Sequence, residues 1–288
     1  MMTEETGQNF KIVALPKVKD QHLPGVFGDF STIVNQRINE LKQSKRAVDL
    51  EKGRFFEYLL NLVDASQYRA IQARFLDPKV LDKKSDLVKY LDPIIWFESK
   101  LALALRLGLD KSAPRRILDL GTGPAHFPVV ATYFGHDVTG TDLPRRTLGA
   151  SETGHLYDAL AGAYKVKRIG HIIKPGDDLR ALKGPYDLVT SFLTAFNVDE
   201  KKAPWSVDSW DTFLGHLQEN VLSPDGGVFM SLTNKKLTPV VWTHLKRLAT
   251  WALDDSKLLY IPNLAVARKK ALARGKSTAV RGKEAVAS

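Results

Sequence analysis

The chain falls into two stretches that differ in the spacing of their apolar residues. Up to about residue 110, apolar positions recur every three to four residues, which indicates amphipathic helices. We expect Ser31 to cap the first of these helices. Further helical patterns run through GRFFEYLLNLV, SQYRAIQARFL and YLDPIIWFESKLALALRLGL. In the last of them, Pro93 suits the first helical turn and Gly108 suits the C-terminal end.

From Arg115 onwards, short apolar runs alternate with helical patterns. We predict strands at RRILDL, DVTGTD, GHIIK, YDLVTSF, GVFMSLT and KLLYI, with AVARK as a candidate final hairpin partner. Helical patterns separate them, notably WDTFLGHLQENVL and PVVWTHLKRLATWA. This alternation is typical of a parallel sheet with crossover helices. The expected fold class is therefore α/β: a doubly wound, mostly parallel sheet of about seven strands with an N-terminal helical extension.

The same patterns predict four segments. Residues 1–30 contain several prolines and glycines without periodicity and are expected to form an extended arm. The helical extension covers residues 31–110, and the sheet domain covers residues 111–270. Residues 271–288 are expected to form a basic, disordered tail.

Composition excludes several kinds of site and several classes of protein. The chain has no cysteine, which excludes disulfides, thiolate zinc sites and thiol nucleophiles. No apolar run approaches the roughly 18 residues that a membrane span requires. The first ten residues, MMTEETGQNF, have neither the cationic start nor the apolar stretch of a secretory signal. We therefore expect a cytoplasmic protein without a membrane span.

The positive charge is concentrated at one end of the chain. The formal net charge is +10, and between Ala265 and Ser288 seven lysines and arginines are opposed only by Glu284. A solvated tail is the simpler interpretation. Contact of this tail with RNA or another acidic partner is the alternative.

The segment RRILDLGTGPAHFPVV predicts a buried strand, a glycine turn and the start of a helix. A dinucleotide site would have a third glycine for close packing of helix and strand, and this series lacks it. Pro124 removes an N–H group where a pyrophosphate needs donors, and Asp119 adds negative charge nearby. A phosphate-binding P-loop is also excluded, because no Gly-Lys-Ser/Thr follows. Phosphate-bearing cofactors therefore fit poorly.

A cationic nucleoside without phosphate, S-adenosylmethionine (SAM), fits better. Asp119 suits its ammonium group, directly or through water, and Gly121 and Gly123 let the backbone pass close to the ligand. Asp142 ends the next predicted strand, 23 residues after Asp119, where it can accept both ribose hydroxyls. The alternative role of these carboxylates, and of Asp177 and Asp178 below, is to cap the ends of strands and turns. Asp177 and Asp178, after the third predicted strand, are alternative acceptors for the adenine amino group.

These motifs together resemble the class I, Rossmann-like SAM-dependent methyltransferases. LDLGTGPAHF resembles their glycine loop, VTGTDL their ribose-binding strand end and PGDDL their adenine-binding turn. PYDLVTSF resembles the fourth strand, and FLGHLQENVLSPDGGVFMSL the following helix, turn and fifth strand. The resemblance covers about Arg115 to Leu232, and it departs from the family at Ala125, where a third glycine is frequent. It implies SAM as cofactor and a helical extension that covers the site as a lid.

The remaining candidate residues have weaker signals. Leu143 is expected to pack against the adenine and Phe192 to line the cofactor cleft, and core packing is the alternative for both. No catalytic signature is present, because methyl transfer depends mainly on alignment of the reactants. Asn197 and His126 are candidate catalytic residues, and no metal site is expected. The candidates for contact with substrate are Tyr90, Trp96 and Trp205.

The sequence leaves three functions open. The first is a methyltransferase that acts on an oxygen or nitrogen atom of a small molecule. The second is a non-catalytic SAM-binding or scaffold protein on the same fold. The third is a methyltransferase for RNA or protein that uses the basic tail as an anchor. The segment SFLTAFN after the fourth strand lacks the Asp/Asn-Pro-Pro-Tyr/Phe motif of DNA amino-methyltransferases, which disfavours that class.

Overall fold

A computed structural model describes the chain at residues 24–77, 85–144, 152–192, 196, 203–233, 237–271 and 273. The chain forms two compact units, which divide between Asp110 and Lys111. The first 23 residues of the predicted arm, Asn197 and nearly all of the predicted tail lie outside the described residues.

The first unit is helical. Its helix α2 begins one residue before the predicted cap Ser31, and the cap is instead Asp29, whose carboxylate accepts the N–H of Thr32 at 3.0 Å. The helices are α1 (Pro24–Phe27), α2 (Phe30–Lys42), α3 (Ala47–Leu62), α4 (Ala65–Phe75), a 3₁₀ helix (Ser85–Leu91) and α5 (Pro93–Arg106).

Three of these helices share an apolar core and an ion cluster. The ring of Phe55 on α3 lies 5.3 Å from that of Phe97 on α5. Next to it, the Glu98 carboxylate accepts hydrogen bonds from Arg37 on α2 at 2.7 Å and from Lys52 on α3 at 2.8 Å. Phe55, on one of the apolar faces predicted from the sequence, therefore packs against another helix of the same unit.

The start and the end of α5 confirm the predictions made for Pro93 and Gly108. Pro93 is the first residue of α5, and Asp92 caps it. Gly108 has a φ of +67°, and its N–H donates to Leu105. The N–H of Leu109 donates to Ala104, which completes a Schellman motif.

The second unit is built on a seven-stranded sheet in the order β3-β2-β1-β4-β5-β7-β6. Strands β1 to β5 are parallel, and β7 runs antiparallel to both β5 and β6. The strands are β1 (Arg116–Leu120), β2 (Asp137–Asp142), β3 (Arg168–Gly170), β4 (Tyr186–Phe192), β5 (Leu222–Ser231), β6 (Trp251–Leu253) and β7 (Leu258–Ile261).

In the described residues, four α-helices connect strands of this sheet and a fifth follows β7. They are α6 (His126–Tyr133), α7 (Glu152–Ala163), α8 (Val207–Asn220), α9 (Pro239–Leu248) and α10 (264–271). The strand order reverses between β1 and β4, and in open α/β sheets ligands bind at the carboxyl ends of the strands at such a point. The predicted fold class, a doubly wound, mostly parallel Rossmann-like sheet, is confirmed.

Two strand predictions are wrong. The predicted strand GHIIK is represented only by Gly170, because β3 pairs with β2 through Arg168, Ile169 and Gly170. AVARK is not a hairpin partner but part of α10, whose start is capped by the Asn263 side chain through the N–H of Val266 at 2.9 Å.

The true hairpin partner of β7 lies inside a segment predicted as helix. The helix α9 ends at Leu248, where Ala249 turns to an extended conformation. The N–H of Thr250 then donates to Tyr260 at 2.9 Å, and β6 begins at Trp251.

Within the described ranges, no helix is long and apolar enough to cross a membrane. The described residues also contain no group of three or more side chains arranged to hold a metal ion.

Candidate functional site

The glycine loop between β1 and α6 is shaped by three left-handed residues. Gly121, Gly123 and Ala125 have φ values of 65°, 53° and 66°. Ala125 is fully buried and takes the conformation of the third glycine that the sequence lacks. A β-carbon placed on Gly123 would lie 3.6 Å from the ring of Tyr157 on α7. The loop therefore brings bare backbone to the carboxyl end of β1.

The backbone N–H groups of the loop are turned towards the protein. Pro124 has no N–H, and the N–H groups of the other four loop residues have acceptors within the protein. Gly121 donates to Thr141 Oγ1 (3.3 Å) and Thr122 donates to Thr141 O (2.7 Å). Gly123 donates to Asp142 Oδ2 (3.0 Å) and Ala125 donates to Thr122 O (3.1 Å). Phosphate-binding loops use these same groups as donors. Because they are engaged here, the loop does not form a phosphate cradle.

Asp119 lies beneath this loop and is only 2% exposed. Its Oδ2 accepts the hydroxyl of Thr122 at 2.7 Å, and its Oδ1 accepts that of Thr190 on β4 at 2.7 Å. The carboxylate thus joins the loop, β1 and β4. Because Asp119 is so deeply buried, its carboxylate can interact with the ammonium group of a ligand only through an intervening group and not by direct contact.

Asp142 ends β2 and faces the loop from its other side. Its Oδ1 accepts the N–H of Leu143 at 2.8 Å, and its Oδ2 accepts the N–H of Gly123. The same Oδ2 forms an ion pair of 2.8 Å with Arg168 on β3. Arg168 also donates to Asp158 on α7 at 2.8 Å. No sequence pattern indicates Arg168, because its contact with Asp142 depends on how β2 and β3 pair.

Asp177 and Asp178 follow β3 but have different surroundings. The Asp177 carboxylate lies 2.6 Å from His171 Nε2 and accepts the N–H of Leu179 at 3.1 Å. The backbone N–H of His171 donates to Asp142 O at 2.8 Å, so His171 links the ends of β2 and β3 to Asp177. Asp178 is more exposed and accepts the N–H of Arg180. Both carboxylates thus cap the turn after β3, and Asp177 is in addition bonded to His171.

Leu143 and Phe192 differ in their exposure to solvent. Leu143 follows Asp142 directly and is 41% exposed, which leaves an apolar side chain open at the end of β2. Phe192 is half-buried, and its ring lies 4.6 Å from Phe127 and 5.6 Å from Phe229. Leu143 thus offers a surface to a ligand, whereas Phe192 belongs mainly to the aromatic core under the loop.

Two other candidates are buried. His126 is 3% exposed, and its ring lies 5.9 Å from Tyr164, so it faces neither solvent nor an open cleft. Trp205 is 2% exposed and packs edge-on against Trp210 and Phe213. The prediction that Trp205 contacts substrate is not supported, because the side chain is part of the core. Asn197 lies outside the described residues.

Tyr90 and Trp96 belong to the first unit. Their rings lie 5.1 Å apart, and Trp96 Nε1 donates to the carbonyl of Lys89 at 2.5 Å. Both side chains are half-buried. Their contact with a ligand of the second unit stays a prediction.

Sequence and structure comparisons give likenesses of fold only. No protein-family model and no curated protein matches this sequence. Among solved structures, the ribosomal protein L11 methylase of Lactobacillus delbrueckii subsp. bulgaricus aligns at 18% identity with a TM-score of 0.37, over 57% of this chain and 75% of that chain. An amino pentose methyltransferase of Micromonospora echinaspora, CalS10, solved with SAM bound, aligns at 19% identity with a TM-score of 0.34, over 50% of this chain and 54% of that chain.

A third solved structure is the CcbJ methyltransferase of Streptomyces caelestis. It aligns at 17% identity with a TM-score of 0.30, over 46% of this chain and 47% of that chain. The chain thus spans about half the length of the CalS10 and CcbJ chains. At these identities and TM-scores, a function for this chain has to be argued from its own residues.

Proposed function

We propose that the chain is a SAM-dependent methyltransferase that transfers a methyl group to an oxygen or nitrogen atom of a small molecule. The observation that carries the proposal is the direction of the N–H groups in the glycine loop. Those of Gly121, Thr122 and Gly123 are bonded to β2, so the loop offers no cradle to a phosphate. A nucleoside that has no phosphate and carries ammonium and sulfonium groups suits such a loop, and SAM is one.

Each end of the ligand has a group suited to it. Asp119, beneath the loop, provides negative charge for the ammonium group, and Asp142 provides an acceptor for the ribose. Leu143 provides an apolar surface for the adenine, and Asp177 provides an acceptor for the adenine amino group. These four residues lie on or just after the carboxyl ends of β1, β2 and β3, where ligands of this class of sheet bind.

The chemistry proposed needs little from the protein. When bound, SAM would supply an electrophilic methyl group for in-line attack by the acceptor, with S-adenosylhomocysteine as the leaving group. The protein holds the reacting atoms in alignment, and a general base is required only for some acceptors. No base is assigned, because His126 is buried beside Tyr164. The absence of a base-flipping motif after β4 disfavours a DNA base as the acceptor, and the acceptor is proposed to be a small molecule.

The test is transfer of label from methyl-labelled SAM to fractionated cell extract. Wild type is compared with Leu143→Glu, which places a charge on the proposed adenine surface. The matched control is Val266→Glu, at a side chain of similar exposure (46%) on α10, which follows β7. Because β7 is antiparallel to β5, α10 starts at the amino end of the parallel strands. We expect label in the small-molecule fraction from wild type and Val266→Glu, and a strong loss from Leu143→Glu.

Two other outcomes would support the two alternative functions. Label in RNA or protein, lost when the chain is truncated after Lys270, would favour a macromolecular acceptor held by the basic tail. Binding of SAM without transfer to any fraction would favour the non-catalytic interpretation.

A further inference from the structure

The surroundings of Asp142 restrict how many further hydrogen bonds it can accept. Three donors already contact its carboxylate in the described residues: the N–H of Leu143 on Oδ1, and the N–H of Gly123 and the guanidinium of Arg168 on Oδ2. An ionised carboxylate has about four acceptor positions, two on each oxygen. With respect to the residues that the structure describes, one position remains, and it is on Oδ1.

The Arg168 contact is held in place by the fold. Arg168 pairs with Gly140 in the β2–β3 ladder, two residues before Asp142, so the side chains of Arg168 and Asp142 lie on the same face of the sheet. The second anchor is Asp158 on α7, at 2.8 Å. The side chains of Arg168 and Asp142 are only 14% and 12% exposed. A ligand at the end of β2 therefore meets an Asp142 whose Oδ2 is already occupied.

The guanidinium is oriented by its two terminal nitrogens. In the described part of the chain, its Nε atom is buried and makes no hydrogen bond. The two carboxylates alone thus fix the plane of the guanidinium. Replacing Arg168 by a side chain without donors would free an acceptor position on Asp142 without changing Asp142 itself.

We propose that Arg168 is a positioning residue that sets the specificity of the nucleoside site. By occupying Oδ2 of Asp142, it makes the site recognise one ribose hydroxyl through this carboxylate instead of two. This inference rests on the proposed SAM site. It adds a selectivity between the two ribose hydroxyls, which Asp142 without Arg168 would not produce.

The test uses the full chain and three ligands: S-adenosylhomocysteine and its 2′-deoxy and 3′-deoxy analogues, with dissociation constants from calorimetry. In wild type, we expect one deoxy analogue to bind about tenfold more weakly, the scale of one hydrogen bond to a charged group. The other analogue should bind within about twofold of the parent. Equal losses for the two analogues, or no loss for either, would overturn the proposal. If S-adenosylhomocysteine itself does not bind, the proposed function fails instead.

Two variants show whether Arg168 is the cause. In Arg168→Met combined with Asp158→Asn, which removes one charge of each sign, the second acceptor position of Asp142 opens, so both analogues should lose affinity to similar extents. Arg168→Lys keeps a charged donor and should keep the wild-type ratio of the two affinities. A purely structural Arg168 would lower stability and leave that ratio unchanged. An unchanged ratio in the Met variant would contradict the proposal, and if that variant does not fold, the wild-type comparison decides.

Discussion

Thr190 on β4 donates a hydrogen bond of 2.7 Å to the buried carboxylate of Asp119 at the end of β1. The other oxygen of Asp119 accepts the hydroxyl of Thr122 in the glycine loop. A carboxylate that sequence reasoning assigned to a ligand therefore also joins two central strands to the loop. The shape of the proposed site depends on this buried junction.

Thr190→Val should lower the free energy of unfolding by about 1.5–3 kcal/mol, because the isosteric side chain removes the hydroxyl that donates to Oδ1 of the buried Asp119 carboxylate. Urea denaturation measures this change. Thr190→Ser keeps the hydroxyl and is the control. Equal stabilities of the Val and Ser variants would show that the hydrogen bond contributes nothing.

Asp142→Ala should weaken binding of S-adenosylhomocysteine by about 1–3 kcal/mol, the range for a hydrogen bond to a charged group. The ligand-free protein should lose stability as well, because the variant removes the acceptor of the Gly123 N–H and one of the two carboxylates that Arg168 contacts. We expect the free energy of unfolding to fall by about 2–3 kcal/mol, since the ion pair is largely buried. Calorimetry and urea denaturation of the same sample give both numbers, and unchanged stability would contradict the structural role.

The parts of the fold that were predicted correctly have strong local signals. The strands β1 and β4 are mostly apolar, β1 is followed by Gly121 and β2 ends at Asp142, and all three strands lie inside the sheet. The strand β3 was misplaced because it is a short edge strand, and the apolar pair in GHIIK that suggested a strand includes Ile172, which is exposed. The end of α9 was missed because no Gly or Pro marks it and pairing with β7 decides it.

The site was predictable only where it depends on strand ends. Asp119 and Asp142 follow from the alternation of strands and turns in the sequence. Arg168 and His171 do not, because the residues that they bond to come together only through the pairing of β2 with β3 and the turn that follows. The inward direction of the loop N–H groups depends likewise on Thr141, in the neighbouring strand.

Ala125→Gly should be tolerated, with a change in the free energy of unfolding within about 1 kcal/mol. Relief of the left-handed strain of alanine, about 1–2 kcal/mol, is offset by the greater freedom of glycine when unfolded. Ala125→Val adds β-branching at a φ of 66° in a fully buried position and should reduce both stability and ligand binding. Thermal unfolding of the pair checks this. A Val variant as stable as wild type would show that the loop does not require this conformation.

The proposed lid can be tested by amide hydrogen exchange. If residues 31–110 cover the ligand, exchange in the segment 89–97, which contains Tyr90 and Trp96, should slow when S-adenosylhomocysteine is added. The measurement compares exchange with and without ligand, and the Leu143→Glu variant serves as a control with weakened binding. Unchanged exchange at saturating ligand would show that the extension serves something other than this site.

The central claim is that the loop after β1 holds SAM and not a phosphate-bearing cofactor. Calorimetric titration of the full chain with S-adenosylmethionine, S-adenosylhomocysteine, NADPH and ATP tests it most directly. We predict binding of the first two with micromolar dissociation constants and no measurable heat from NADPH or ATP. Clear binding of NADPH, without binding of either adenosyl ligand, would contradict the account.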